Sequence, residues 1–220
     1  SVSARQPEKR RGKGGSRKSA ERAAWEQVPA MRIIAGNYRG KKLFSPESDK
    51  VRPTADRARE ALFNILHSSL EKDWSAYKLL DVFAGTGAFA LEALSRGAAA
   101  VALIDKDTRS LEKNVALFPK EKERISVFRQ NVLSLPPSAG RYDLLFMDAP
   151  YNQGLSEPAL RELAAKGWLK PGALCLVEVE KNEQLHIPAC YEWQEERIYG
   201  LAKVIFLKYV SGFIVLHLLH

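Results

Sequence analysis

The segment Lys78 to Ala90, KLLDVFAGTGAFA, constrains the fold more than any other part of this chain. An apolar run of Leu79, Leu80, Val82 and Phe83 ends in Ala84-Gly85-Thr86-Gly87, after which Leu91, Glu92, Ala93 and Leu94 continue with helical character. That order reads as a buried strand, a glycine turn and a helix N-terminus, the opening of a nucleotide-binding βαβ unit. Glycines let the backbone adopt positive φ and approach a ligand closely, while the first-turn N–H groups of the helix remain able to donate. A cofactor with a ribose and an anionic group is expected here.

The pattern downstream extends the unit. A helix over 87–96 ends at Arg96-Gly97, and a second strand from Ala99 to Ile104 delivers Asp105 at its carboxyl end. A βαβ unit places there the acid that accepts hydrogen bonds from ribose hydroxyls. The structural alternative for Asp105 is to cap a helix over 107–118, a task Asp107 could equally perform. Ile125 to Phe128 forms a third strand, followed by Asn131 and Val132; the Asn131 amide could pair with an adenine edge or simply stabilise a turn. Leu144 to Met147 is a fully apolar fourth strand that runs into Asp148-Ala149-Pro150-Tyr151. The carboxyl ends of strands in an open parallel sheet border the ligand crevice, so Gly85, Asp105, Asn131 and Asp148 are expected to converge. A carboxylate, a carbonyl held by proline and an aromatic face suit the gripping of a nucleobase amine; a β-turn with a capping Asp is the bland reading of the same four residues. A helix over 156–166, a turn over 167–172, a fifth strand over 173–179 and an antiparallel hairpin over 192–198 and 203–210 complete the pattern.

Charge divides the chain. The formal net charge is +8, and residues 1–30 alone hold eight Lys/Arg against three Glu. They read as a disordered basic arm that either contacts RNA or is merely solvated; sequence ahead of a natural start at Met31, or a targeting segment, are the other readings. Residues 31–50 suggest a small hairpin extension carrying Arg32, Tyr38, Arg39, Lys41 and Lys42, a platform for phosphates and a base or else an ordinary exposed hairpin. Next, Thr54 is a candidate N-cap for a helix with Ala58, Ala61, Leu62, Ile65 and Leu66 on its apolar stripe. Arg52, Arg57 and Arg59 near its start oppose the helix dipole, so an anionic ligand or internal carboxylates should accompany them. The main domain spans 31–210, and 211–220 is an apolar tail that packs on a sheet edge or is an added extension.

Several classes are excluded. Cys175, in an apolar run, reads as core, and it shares no metal-ligand spacing with Cys190. The four histidines are scattered, so no metal is expected. No Lys-Ser/Thr follows the glycines, which argues against an NTPase. No apolar run reaches the roughly 18 residues needed to span a bilayer. A monomer in a reducing, cytoplasmic setting is expected.

Taken together, MRIIAGNYRGKKL, RPTADRAREALFNIL, LLDVFAGTGAFALEALSRGA, LIDKD, QNV and DAPY resemble the bacterial 16S ribosomal RNA guanine-N2 methyltransferases over residues 31–210. The resemblance implies a Rossmann-like class I fold of the α/β type, a seven-stranded mostly parallel sheet with helices on both faces, using S-adenosylmethionine. It further implies that Asp81, Phe83, Ala84, Gly85, Thr86 and Gly87 wrap the methionine part, that Asp105 holds the ribose with Lys106 also in the cofactor site, and that Asn131 and Val132 flank the adenine. Asp148, Ala149, Pro150 and Tyr151 correspond to the family's Asp-Pro-Pro-Phe/Tyr loop, with Ala149 in place of the first proline. Ribosomal RNA or the small subunit would approach over Arg32, Tyr38, Arg39, Lys41, Lys42, Arg52, Thr54 and Arg57. Three rivals remain open: an adenine or cytosine amino-methyltransferase sharing the tetrapeptide, a dinucleotide-dependent dehydrogenase using Gly85 to Ala90, and a non-catalytic RNA-binding assembly factor, which Ala149 motivates.

Overall fold

A computed structural model describes residues 31–46 and 53–211. The expected basic arm, Arg52 and the apolar tail beyond 211 lie outside these described residues. Helix α1 (Pro53–Ser69) precedes strand β1 (Lys78–Val82), helix α2 (Ala88–Ser95), β2 (Ala100–Asp105), helix α3 (Arg109–Val115), β3 (Ile125–Arg129), β4 (Tyr142–Asp148), helix α4 (Ser156–Ala165), β5 (Leu169–Glu180), β6 (Tyr191–Tyr199) and β7 (Ala202–Tyr209). The seven strands form one sheet in the order β3-β2-β1-β4-β5-β7-β6. The first five are parallel, and β7 runs antiparallel between β5 and β6. This is the class I methyltransferase fold that the resemblance implies. A dinucleotide-binding sheet would continue with a parallel sixth strand, which removes the structural basis for the dehydrogenase.

Strand alternation sorts the side chains onto two cores. Leu79, Leu144, Leu176 and Phe206 face one layer, shared with α1, α2 and α3. Leu80, Val82, Leu145, Met147, Cys175 and Val177 face the other, shared with α4. Cys175 is a fully buried core residue, as its apolar surroundings predict. The same alternation carries Asp81, Asp148 and Glu178 onto the α1 side, in phase with Leu79, Phe146 and Leu176. Each of these acids is thus aimed by its strand's register rather than by a loop.

Some boundaries differ from the sequence expectation. α3 stops at Val115, not 118, and residues 119–124 form a 3-10 turn. Pro119 explains this, because proline pushes the residue before it out of the helical region. Strand β5 starts at Leu169, before Pro171-Gly172: Tyr142 pairs with Leu169, the register then slips, and Leu144 pairs with Leu174. The proline and glycine sit in the irregularity, where missing ladder bonds cost least. Helix α1 begins at Pro53, so Thr54 stands within its first turn and not at the cap.

The N-terminal hairpin is narrow, a single Arg32–Lys42 bridge with Ile33 N–H donating to Lys41 O and Leu43 N–H to Met31 O. Its outer residues Arg32, Asn37, Arg39 and Lys42 are exposed, while its inner residues dock on the fold. Met31, Ile33 and Leu43 are buried in the α1-side core. The N–H groups of Ile34 and Ala35 donate to the Glu92 carboxylate at 2.8 and 3.0 Å, and Glu92 is 0% exposed. Gly36, at φ +86, passes so close to α2 that a Cβ there would lie 2.0 Å from the Ser95 carbonyl oxygen. The seam therefore demands glycine.

Candidate active site

The turn after β1 is tightly specified. Phe83 takes φ 58, a conformation that costs a bulky residue roughly 1–3 kcal/mol and concentrates at functional sites. Ala84 N–H donates to Ile104 O and Gly87 N–H closes back on Ala84 O at 2.8 Å. Gly85, at φ +57, is exposed, and a Cβ built there meets only Phe83 O at 4.0 Å, so the space over it is open for a ligand. Asp81 lies beneath, 2% exposed, accepting the Ala90 N–H at 3.2 Å and so pinning the start of α2. Burial pushes its pKa well above the ordinary carboxylate value; the Ala90 bond opposes this and the Asp105 charge adds to it.

Asp105 ends β2 and is joined to the same turn. One carboxylate oxygen accepts the Gly85 N–H at 2.8 Å and the other the Asp107 N–H at 3.1 Å. Asp107 Oδ1 accepts the Arg109 N–H at 3.2 Å just ahead of α3, whose N-cap is Thr108 without a side-chain capping bond. Lys106 is exposed beside it. Asn131 uses its Oδ1 to accept Leu133 N–H at 3.0 Å, the turn reading of this residue, and any side-chain contribution to an adenine edge falls to its amide nitrogen. Val132 is 3% exposed and belongs to the α4-side core.

A cavity of about 200 Å³ lies on the α1 face of the strand ends. The turn residues Phe83, Ala84 and Thr86 line it, together with Asp81, Asp148, Glu178 and, from α1, Ala58, Arg59 and Leu62. Phe89 and Phe146, also in its wall, stack at 3.7 Å and 4°. The glycine turn and the residue ending β4 thus share one cavity, while Asp105 and Asn131 lie along the rim of the sheet beyond it. Much of Asp148 meets solvent, yet protein surrounds it closely. Lost hydration, the adjacent Glu178 with its charge and hydrogen bond, and Asp81 raise its pKa well above the usual carboxylate range. After it, Ala149 is buried, Pro150 and Tyr151 are exposed, and the chain turns at Asn152, φ 57.

One cavity residue meets the expectation of internal carboxylates beside a helix-start arginine, and two further residues, Asn114 and Glu178, escape a reading by sequence. Arg59 is 9% exposed; its terminal nitrogen donates to Arg32 O at 2.5 Å and reaches Asp56 at 3.3 Å, while its Nε has no hydrogen-bond partner. Desolvation lowers its pKa, against the raising influence of Asp56 and Glu92. Its buried charge among carboxyls accounts for an arginine where the helix dipole disfavours one. Asn114, 0% exposed, donates to Thr86 O and pairs twice with the Phe44 backbone, tying the glycine turn to the chain that follows the hairpin. Glu178 is paired in register with Asp148.

The basic residues divide. Arg32, Arg39, Lys42 and Arg57 are exposed. Lys41 sits over the rings of Tyr38 and Phe118 at 5.5 and 5.1 Å. Tyr38, expected to present a base-stacking face, is half-buried: its hydroxyl donates to Glu121 at 2.8 Å and its ring meets Phe118 edge-on. Among the described residues there is no cluster of His, Cys, Asp and Glu suited to a metal, and no helix long and apolar enough to cross a membrane.

Comparison with known proteins agrees with this geometry. The family model described as Conserved hypothetical protein 95 matches residues 31–208. A Haemophilus influenzae protein named Ribosomal RNA small subunit methyltransferase D is 36% identical over 177 residues, covering 78% of this chain and 90% of that protein. The Escherichia coli K12 protein of the same name is 39% identical over 175 residues, 77% of this chain and 85% of its own length. The solved structure of Escherichia coli yhhF, named as a candidate methyltransferase, superposes with a TM-score of 0.70 at 33% identity, covering 83% of this chain and 99% of that one. The chain therefore belongs to the Conserved hypothetical protein 95 family, among relatives named as ribosomal RNA methyltransferases.

Proposed function

We propose that this protein transfers a methyl group from S-adenosylmethionine to the exocyclic N2 amine of a guanine in small-subunit ribosomal RNA. One observation carries the reading: Asp148, at the end of β4, and the glycine turn, at the end of β1, line the same cavity on one face of the sheet. The named activity of the relatives supports the methyl-transfer class and the ribosomal substrate.

The residues suit the cofactor. An open Gly85 with a strained Phe83 beside it makes a cradle that any added side chain at 85 would fill. In this reading Asp81 and the turn 83–87 hold the methionyl part, Asp105 the ribose with Lys106 also in the cofactor site, and Asn131 and Val132 the adenine. When bound, the cofactor supplies an electrophilic methyl group. The protein does the rest by positioning and electrostatics. An exocyclic amine is a poor nucleophile because its lone pair is delocalised into the ring. Asp148 and the carbonyls of Ala149 and Pro150 accept its two hydrogens, which favours a pyramidal nitrogen with the lone pair directed into the cavity. Tyr151 stacks on the base, splayed out of its helix.

Nucleoside mass spectrometry of ribosomal RNA from cells with and without the protein tests this directly. Loss of N2-methylguanosine from the small-subunit RNA is the expected result; loss of a methyladenosine or methylcytidine would reassign the base, and no change would end the reading. Asp105→Ala is expected to weaken cofactor binding about tenfold or more by calorimetry, since it deletes both the ribose acceptor and the Gly85 tether. Unchanged affinity would take Asp105 out of that role.

Arg32, Arg39, Lys42 and Arg57 offer phosphate contacts toward the RNA; Arg52 and Thr54, without a described side chain, stay in the proposal on sequence grounds alone. Each true phosphate contact raises the dependence of affinity on salt. Arg39→Ala and Lys42→Ala should therefore each reduce the slope of log affinity against log salt by about 1. Slopes equal to wild type would put the RNA on another face.

A further inference from the structure

Glu178 reaches Asp148 through strand pairing and not through chain proximity. The two residues are Cα partners on β4 and β5, and both line the cavity beside the glycine turn. Their surroundings are lopsided in charge. Asp81 faces them from β1 and Arg59 from α1; the β7 partner of Glu178, Val204, is apolar. Among the residues lining the cavity, Arg59 is the single cation against three carboxyls, and its buried Nε lacks a hydrogen-bond partner. Neighbouring carboxylates repel each other, so when both are ionised the pair binds one proton more tightly than a lone carboxylate does. Such a pair takes up one proton readily.

We propose that Glu178 acts with Asp148 as one carboxyl pair that receives the proton the target amine gives up on methylation. This rests on the methyl-transfer reading above. In the step, the amine nitrogen bonds to the methyl carbon and the carbon–sulfur bond breaks with its electrons left on sulfur. One N–H proton passes to the pair, and from there to solvent through the open mouth at Asp148. Glu178 is a positioning residue here, acting through Asp148, whose affinity for the proton it raises.

A pair that already holds its proton cannot accept another, so methylation falls as pH drops through the pair's titration. Removing the Glu178 charge lets Asp148 ionise at lower pH, and the acid limb moves down with it. The experiment compares wild type, Glu178→Gln and Glu178→Asp as full-length protein. Methyl transfer to small-subunit RNA is followed against pH, and the Asp148 carboxyl is titrated by ¹³C NMR without RNA. Glu178→Gln should move the acid limb and the NMR midpoint down together by about one pH unit and lower the plateau rate about tenfold. Glu178→Asp, which keeps a carboxyl, should stay near wild type. An NMR midpoint unmoved by Glu178→Gln overturns the pairing, as does Glu178→Asp moving as far as Glu178→Gln. An NMR shift with a stationary acid limb overturns the proton-accepting role. If wild type transfers no methyl to RNA, that role falls with the functional reading, and the NMR titration tells this apart from failure of the pair.

Discussion

Asp148→Asn is expected to cut methyl transfer by about 10²- to 10³-fold while leaving cofactor affinity within a few-fold of wild type. The asparagine keeps the shape of the side chain and one acceptor oxygen, but places an N–H₂ where the amine hydrogens must be received. It also removes the negative charge that stabilises a nitrogen becoming positive as it attacks. The fold should tolerate the change, because Asp148 ends a strand at an open crevice and replaces no core packing. Asparagine also relieves the cost of ionising a carboxyl beside Glu178 and Asp81. Single-turnover transfer of a labelled methyl group measures the first quantity and calorimetry the second. Equal losses in both would make Asp148 part of the cofactor cradle; near-normal transfer would remove the acceptor role that the proposed chemistry assigns to it.

How far such a site can be read from sequence depends on the range of the interactions that build it. The glycine turn was legible because its determinants are local: an apolar strand, two glycines and a helix within thirteen residues. Asp105 and Asp148 were legible because a parallel sheet presents strand ends on one side, a rule that needs no contact map. Glu178 obeys the same rule and was passed over. Its meaning appears only once β5 lies beside β4 in a register set past an irregularity at Tyr142 to Leu144. Glu92 shows the same limit more sharply. Within α2 it looks like an ordinary polar position, yet it is wholly buried because a hairpin 57 and 58 residues earlier in the chain covers it. Tyr38 shows the limit from the other side: an aromatic among basic residues resembles a nucleic-acid platform, while its partners Phe118 and Glu121, about eighty residues away, are invisible to a local reading.

That buried carboxylate carries the second large effect. Glu92→Gln is expected to destabilise the protein by about 3–5 kcal/mol, lowering its melting temperature on the order of 10 °C for a chain of this size. Both Glu92 oxygens are engaged, Oε2 by the Ile34 N–H and Oε1 by the Ala35 N–H and the Arg96 Nε at 2.9 Å. A glutamine has one oxygen and one N–H₂, so in either orientation a donor faces a donor with no water to intervene. Arg96, whose guanidinium lies over the Phe63 ring at 4.7 Å, loses its countercharge in the same stroke. The hairpin then comes away from α2 at the seam where Gly36 meets Ser95. Thermal melting by circular dichroism measures the loss, and a midpoint within about 2 °C of wild type would mean that the seam contributes little. RNA affinity measured well below the melting range separates the hairpin's two duties. If it falls along with stability, the docked hairpin orients Arg39 and Lys42 for phosphate contact. If stability falls and affinity holds, the hairpin braces the glycine turn through Met31 and Thr86, and the RNA follows α1 and Arg57 instead.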